Sequence, residues 1–405
     1  MEVIQKLIKD SYPTHQVQEF YMEAAAWLYE TLDNGQVKCN ACKRHCVINP
    51  GKRGFCKARE NVDGKLINKA CGSLRGLYQD PFYLGNGTEV MEVDGFYCNF
   101  RCKFCMARTW LDDKKELPKP VGFCFPFNPL YAPINETTYN SRIIVKLETI
   151  IGLCKARDIK HIVIGRSEPT VNLEYIIPLA AYALNQDIKT ILYTNGYSTK
   201  EVNRAFAEVM SEIIVGVKCY FDQAGYDKVC GPRINVEGIF ETLLDLHKFG
   251  ANYQINILAD GVHGDPREAY RMMAKLKGYL TEKEASNLKI RILPVIHYTS
   301  DVRKQKNGRM NDNVRPGDII GAIELEMGLK RMGFHNAYTE YSRDYKAIYG
   351  CYPSFWHDEA KNGWLAEIEK QEPRYDMKSY VFFGSPEMRE PIRTAPMANQ
   401  DQPAT

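Results

Sequence analysis

No uninterrupted run of about eighteen apolar residues, the length a membrane-spanning helix needs, occurs in this sequence. The first residues, MEVIQKLIKD, lack the apolar core of a signal peptide. Charge of one sign is scarce as well: 53 Lys and Arg stand against 50 Asp and Glu, a net of +3. That balance gives no reason to expect a nucleic-acid partner. There is no internal repeat, no Gly-x-Gly-x-x-Gly after a strand pattern and no Ser/His/Asp grouping, so neither a dinucleotide fold nor a hydrolase triad has support. What remains is ordinary for a globular protein, 44% hydrophobic and 25% charged. At 405 residues there is room for one large barrel with accessory pieces.

Cysteine, by contrast, is abundant. Seven of the 13 cysteines fall into two tight clusters, a pattern that suits metal binding better than a disulfide framework. Together with the absent signal core, this leads us to expect a reducing cytoplasm, which also protects oxygen-sensitive centres. The charge is locally uneven. Lys38, Lys43, Arg44, Lys52, Arg53, Lys57, Arg59, Lys65 and Lys69 face only Glu60 and Asp63 over their stretch. Such a run predicts a solvated basic face, or else a surface for an acidic partner or an anionic metal–thiolate centre.

The denser cluster is Tyr97-Cys98-Asn99-Phe100-Arg101-Cys102-Lys103-Phe104-Cys105, a CxxxCxxC run with an aromatic before its last cysteine. A cubane iron–sulfur cluster normally takes four thiolates. Three ligands, Cys98, Cys102 and Cys105, would leave one iron open to a substrate or cosubstrate. A tetrahedral zinc site or three buried thiols are the other readings. The second cluster comes earlier. Cys39, Cys42, Cys46 and Cys56 form CxxCxxxCx9C, enough for a closed site around one zinc, one iron or a cubane cluster. Pro50-Gly51 and Gly54 supply turns that return the chain to a metal. His45 either replaces a cysteine or bonds a backbone carbonyl through its ring.

After the CxxxCxxC run, short β-branched segments alternate with helical patterns. The expected strands are Val90–Val93, His161–Gly165, Thr190–Thr194, Ile213–Lys218, Tyr253–Leu258 and Ile290–Val295. The expected helices are Arg142–Ala156, Leu173–Asn185, Thr199–Met210, Val236–Phe249 (closed by Gly250) and Pro266–Tyr279, with one more over Gly317–Gly333. The alternation predicts an α/β fold with a parallel sheet, right-handed crossovers and chemistry at the carboxyl ends of the strands. An aromatic group, Tyr338, Tyr341, Tyr345, Tyr349, Tyr352, Phe355 and Trp356, surrounds Cys351. It either walls off a reaction site or packs the barrel's open edge. Residues 384–405 are polar and proline-rich and are expected to be disordered.

The CxxxCxxC run resembles the signature of radical S-adenosylmethionine (SAM) enzymes. In that family the open iron of a [4Fe–4S] cluster chelates the amino and carboxylate groups of SAM, and one electron releases a 5′-deoxyadenosyl radical. The stretch from Val37 to Gly64 resembles the amino-terminal module of the AmmeMemoRadiSam system radical SAM proteins, a group similar to pyruvate formate-lyase activating enzymes. The likeness extends over roughly residues 20 to 300. It implies a partial (β/α)6 radical SAM barrel over 86–300, with a helical and cysteine-rich metal-binding module over 1–85, a small helical and aromatic C-terminal extension over 301–383 and a disordered tail over 384–405.

The resemblance also implies roles for single residues. Phe104 would shield the cluster edge. Glu168, in Gly165-Arg166-Ser167-Glu168-Pro169-Thr170, stands where the family's Gly-Gly-Glu-Pro receives the SAM amino group; an acid at a helix N-terminus is the alternative. Asn195, in Thr194-Asn195-Gly196, would lie near the ribose, or simply form a turn. Lys218 would neutralise the SAM carboxylate where the family has Asp-x-Lys, with Gly216 in place of the aspartate. His297 would lie near the adenosyl group, or serve as a structural hydrogen-bonder. An electron donor of flavodoxin or ferredoxin type and a protein or peptide substrate, with glycyl-radical installation as one example, follow from the same likeness, as does a second metal centre. The rival is a non-catalytic iron–sulfur protein that carries electrons or binds a partner. Arg166, Ser167 and Gly216, which depart from the family's pattern, favour it, and the open-site cysteines argue against it.

Overall fold

The computed structural model describes residues 24–71, 73–80, 88–102, 143–144, 147–165, 167–260, 263–294, 297–298, 314–315 and 319–339. Phe104, Cys105, Arg166, the group Tyr341–Trp356 with Cys351, and the tail 384–405 lie outside these.

The first described segment is a pair of small antiparallel sheets. β1 (Ala24–Ala25), β2 (Tyr29–Thr31), β3 (Val37–Cys39), β4 (Val47–Ile48), β5 (Arg59–Val62) and β6 (Lys65–Asn68) arrange as β2-β3-β4 and β1-β6-β5. Asp63 and Gly64, at φ 50° and 80°, close the β5–β6 hairpin; two residues of positive φ between paired strands match the right-handed strand twist.

The large sheet has nine strands. β7 (Ser73–Asp80) lies antiparallel to β8 (Val90–Gly95), and β9 (Ile143–Ile144) lies antiparallel to β7. Then follow α1 (Leu147–Ala156), β10 (His161–Gly165), α2 (Leu173–Leu184), β11 (Lys189–Thr194), α3 (Lys200–Val209), β12 (Glu212–Val217), α4 (Gln223–Val229), α5 (Val236–Lys248), β13 (Tyr253–Ala259), α6 (Pro266–Lys277), α7 (Glu282–Asn287) and β14 (Ile290–Pro294). A short antiparallel pair, β15 (His297–Tyr298) and β16 (Val314–Arg315), precedes α8 (Ile319–Arg331) and β17 (Ala337–Thr339). The parallel strands run β17-β14-β13-β12-β11-β10-β8, an open parallel sheet with helical crossovers that fits a partial radical SAM barrel. Buried residues run almost without break along β8, β10 and β12, as expected of parallel strands covered on both faces.

Two expectations need correction. The helix anticipated over Arg142–Ala156 begins only at Leu147, because the β-branched pair Ile143–Ile144 adds to the sheet edge at Ser73–Leu74. His297, foreseen close after the sixth strand, described over Ile290–Pro294, falls instead in the separate β15 pair opposite Arg315. Gly250 sits just past α5 at φ 68° and donates its N–H to His247 O at 3.0 Å, the conformation a residue without Cβ supplies at a helix end. Among the described residues no helix is long and apolar enough to cross a membrane.

Candidate functional site

Of the residues singled out from the sequence, Cys98, Cys102, Glu168, Asn195 and Lys218 lie in the segments that follow the carboxyl ends of β8, β10, β11 and β12. The chain leaves β8 at Gly95 and turns at Tyr97, whose φ is 71° and whose carbonyl accepts from Glu168 N–H at 3.1 Å. Cys98 follows, half-buried. Its sulfur accepts from Phe100 N–H at 3.3 Å and from Asn195 Nδ2 at 3.7 Å. Cys102 is buried. A hydrogen bond from Cys230 holds its thiol below the ordinary range, helped by the Lys218 ammonium, its own backbone N–H and the Arg101 guanidinium. Cys230 moves the opposite way, pushed up by its bonds to Cys102 and Cys219. N–H donors and cations around sulfur favour thiolates, the form that ligates metal. The surroundings of Cys98 and Cys102 therefore fit a metal–thiolate centre.

Glu168 is buried, and burial raises its pKa. Its Oε1 accepts from Thr170 N–H at 3.1 Å and Thr194 Oγ1 at 2.8 Å; its Oε2 accepts from Asn195 N–H at 2.8 Å. The carboxylate thus caps the turn after β10 and ties it to the end of β11. Asn195 Nδ2 donates to Asn99 Oδ1 at 2.6 Å as well as to Cys98. Lys218 N–H donates to the Tyr226 hydroxyl at 2.7 Å, and its Nζ folds back on Gly216 O at 2.6 Å.

The departures from the family pattern are accommodated locally. A Cβ at position 216 would lie 2.7 Å from Lys218 Nζ, so glycine leaves room for the ammonium. The Ser167 hydroxyl occupies the space that a Cβ on Gly95 would take, at 2.7 Å. Beyond Lys218 come three buried residues of left-handed conformation, Cys219, Tyr220 and Phe221, at φ 45°, 55° and 64°. Non-glycine residues hold such angles only where the surroundings force them. Here Gly264 packs so closely on the Cys219 carbonyl that a Cβ would overlap it.

The cysteines of the amino-terminal module share one cavity. Cys39, Cys42, Cys46 and Cys56 line it together with Arg44 and Arg59. β3 ends on Cys39, whose N–H donates to Cys46 O at 2.9 Å, so the chain doubles back between the first and third thiols. Burial and the neighbouring Cys39 push the Cys42 thiol up to about 12, and burial also raises Cys56 above its ordinary range. The side chains are not drawn together: among the described residues no group of three or more His, Cys, Asp or Glu stands where it could hold one metal ion. The donor set, four soft thiols with two guanidinium groups beside them, still matches an anionic thiolate centre.

The His45 ring meets a side chain where a backbone carbonyl was foreseen: its Nδ1 lies 3.1 Å from the side-chain oxygen of Asn40.

Much of the basic stretch is consumed inside the protein. Arg59, 1% exposed, pairs with Glu174 at 2.7 Å. Lys43 reaches Glu241 at 3.4 Å and donates to Gly238 O, and Arg53 pairs with Glu60 at 2.9 Å. Lys52 and Lys57 remain exposed.

Asn99 and Arg101, inside the Cys98–Cys102 loop, and Arg44 and Cys230, from loops brought in from elsewhere, also contact the site, and cysteine spacing alone gives none of them a role.

Residues 94–276 match the family model of the Radical SAM superfamily. An uncharacterized protein of Methanocaldococcus jannaschii, MJ0808, is 29% identical over 231 residues, 56% of this chain and 61% of that protein. The chain thus spans about three fifths of the curated relative it matches. Similar solved structures include spore photoproduct lyase complexed with dinucleoside spore photoproduct, at TM-score 0.41 and 12% identity, covering 60% of this chain and 74% of that one. QueE from Escherichia coli gives 0.33 and 15%, covering 55% and 82%. A domain of pyruvate-formate lyase-activating enzyme from Bacteroides vulgatus gives 0.30 and 16%, covering 44% and 96%.

Proposed function

We propose that this chain, whose residues 94–276 form a radical SAM domain, is an enzyme that reductively cleaves SAM and removes a hydrogen atom from a substrate. The observation that carries the reading is that Cys98 and Cys102 follow β8 while Asn195 and Lys218 follow β11 and β12 at the same edge of one sheet, with N–H donors already directed at the Cys98 sulfur. Cys98, Cys102 and Cys105 would hold a [4Fe–4S] cluster, which when bound supplies an open iron for SAM and an electron to its sulfonium.

The other residues act on position and charge. Lys218, released from Gly216 O, offers its ammonium to the SAM carboxylate. Glu168 offers its remaining acceptor capacity to the amino group, Asn195 orients the loop beside the ribose, Phe104 shields the cluster edge and His297 lies toward the adenosyl group. Cys39, Cys42, Cys46 and Cys56 hold a second metal, iron or zinc, whose charge would draw protons from thiols that burial keeps neutral. A flavodoxin- or ferredoxin-type donor in the cytoplasm supplies electrons, and the substrate is a protein or peptide.

The test is anaerobic reconstitution with iron and sulfide, then SAM and dithionite, assaying 5′-deoxyadenosine and methionine. The wild type should form both. Persistence of 5′-deoxyadenosine when Cys98, Cys102 and Cys105 are all changed to alanine refutes the reading. Lys218→Ala should weaken SAM binding about tenfold or more, the loss of one charge-assisted hydrogen bond.

A further inference from the structure

The two cysteine-bearing segments are bolted to each other through residues that neither would need for its own metal. Arg44, between Cys42 and Cys46, donates its Nε to the carbonyl of Asn99, between Cys98 and Cys102, at 2.5 Å. Arg101, in that same second loop, donates its Nη2 back to the carbonyl of Phe55, beside Cys56, at 2.6 Å. The exchange is reciprocal. Both guanidinium groups lie on the Phe55 ring, Arg44 at 3.7 Å and Arg101 at 4.7 Å from its centroid.

Each arginine is also anchored on its own account. Arg44 Nη1 donates to Pro232 O at 2.8 Å, and Arg101 Nη1 to Cys98 O at 2.6 Å and Phe100 O at 2.7 Å. The backbone N–H of Arg101 donates to Cys230 O at 2.8 Å. Arg44 Nη2 is buried without a hydrogen-bond partner among the described residues, and Arg44 lines the four-thiol cavity. A buried N–H donor left unpaired is costly, and a thiolate sulfur in that cavity is an acceptor of the right charge.

We infer that Arg44 and Arg101, stacked on Phe55, are positioning residues that fix the Cys98–Cys102 loop against the amino-terminal cysteine module. The inference rests on the two metal centres proposed above. A guanidinium bridging two carbonyls and a ring holds direction as well as distance, which a lysine ammonium does not reproduce. Order in the thiolate module is thereby transmitted to the loop that presents Cys98 and Cys102, and a metal on Cys39, Cys42, Cys46 and Cys56 should slow loss of the cluster.

The full chain is reconstituted with iron and sulfide and reduced, and the paramagnetic signal that shifts on adding SAM is followed during exposure to a ferrous chelator. Arg44→Gln and Arg101→Gln should each lose that signal about tenfold faster than wild type, and the double variant little faster than either, because both act through one contact. Arg44→Lys should not rescue. Lys43→Met loosens the module from Gly238 and Thr242 without touching the loop, so it should lower the melting temperature while leaving the loss rate unchanged. If Arg44→Gln or Arg101→Gln fails to fold, Phe55→Leu decides: it keeps both backbone carbonyls and removes only the shared ring, and should still accelerate loss. Wild-type loss rates in the variants overturn the inference alone. A wild type with no SAM-responsive signal overturns the radical SAM reading and the inference with it.

Discussion

Glu174→Gln should release the amino-terminal module from the barrel. Glu174 and Arg59 are each 1% exposed and form an ion pair at 2.7 Å. The carboxylate also accepts from Trp27 N–H at 2.6 Å and from Asn68 Nδ2 at 2.7 Å. Arg59 in turn donates to Trp27 O at 2.9 Å and lies 3.9 Å from Cys39 Sγ. One side chain on α2 therefore anchors β5, β6, the Trp27 segment between β1 and β2 and the wall of the thiol cavity. Glutamine keeps the shape but leaves a buried guanidinium without a counter-charge, a loss of about 3–5 kcal/mol when one partner of a buried pair is removed.

That loss falls on the module, so the measurement is amide hydrogen exchange across residues 24–71 compared with β10 to β13. About 3 kcal/mol corresponds to a fall in protection on the order of a hundredfold, visible first at Trp27. The double variant Arg59→Met with Glu174→Leu should recover part of the loss, because no unpaired charge remains, but not all, because Trp27 N–H loses its acceptor and Asn68 Nδ2 keeps only Asn172 Oδ1. Protection falling less than about tenfold in Glu174→Gln would refute the assignment of this pair as the anchor.

Glu168→Gln places an amide N–H against a donor, Thr194 Oγ1 or the N–H of Asn195 or Thr170, and should lower stability by about 1–3 kcal/mol in denaturant melts even without SAM; no change would remove the structural role given to that carboxylate. Gly264→Ala should destabilise far more than Gly216→Ala in the same melts, because the first Cβ meets the Cys219 backbone and the second only the mobile end of Lys218; equal effects would contradict this packing. Loading the four-cysteine site should release protons from Cys42 and Cys56, whose apo thiols burial keeps neutral at pH 7, so metal affinity should fall as pH falls; calorimetry in buffers of different ionisation enthalpy counts the protons, and none released would exclude thiolate ligation there.

The alternation of β-branched runs with three-to-four-spaced apolar segments was sufficient to place β10 to β14 and α2, α3, α5 and α6 within a few residues, because strand and helix periods are local properties that a buried parallel sheet does not override; the short helices α4 and α7 were not foreseen. The cysteine spacing marks the two loops in the sequence, but among the described residues it does not by itself draw three side chains together around one point. What the linear order does not carry is the set of contacts made between distant loops. The strand β9 arises because an Ile-Ile pair found a free edge at β7, and β17 because α8 returns the chain beside β14. Glu168 is held by the end of the next strand, and Lys218 lies beside Cys102 only because β8 and β12 belong to one sheet.

The basic stretch shows the difference most directly. Charge counting along the sequence predicts a solvated face or an anionic partner. Tertiary structure instead buries Arg59 on Glu174, 115 residues away, and turns Arg44 onto Asn99. A local pattern states which charges exist; which of them meet a partner, lose their water and become structural is decided by the fold that brings those partners within a few ångströms.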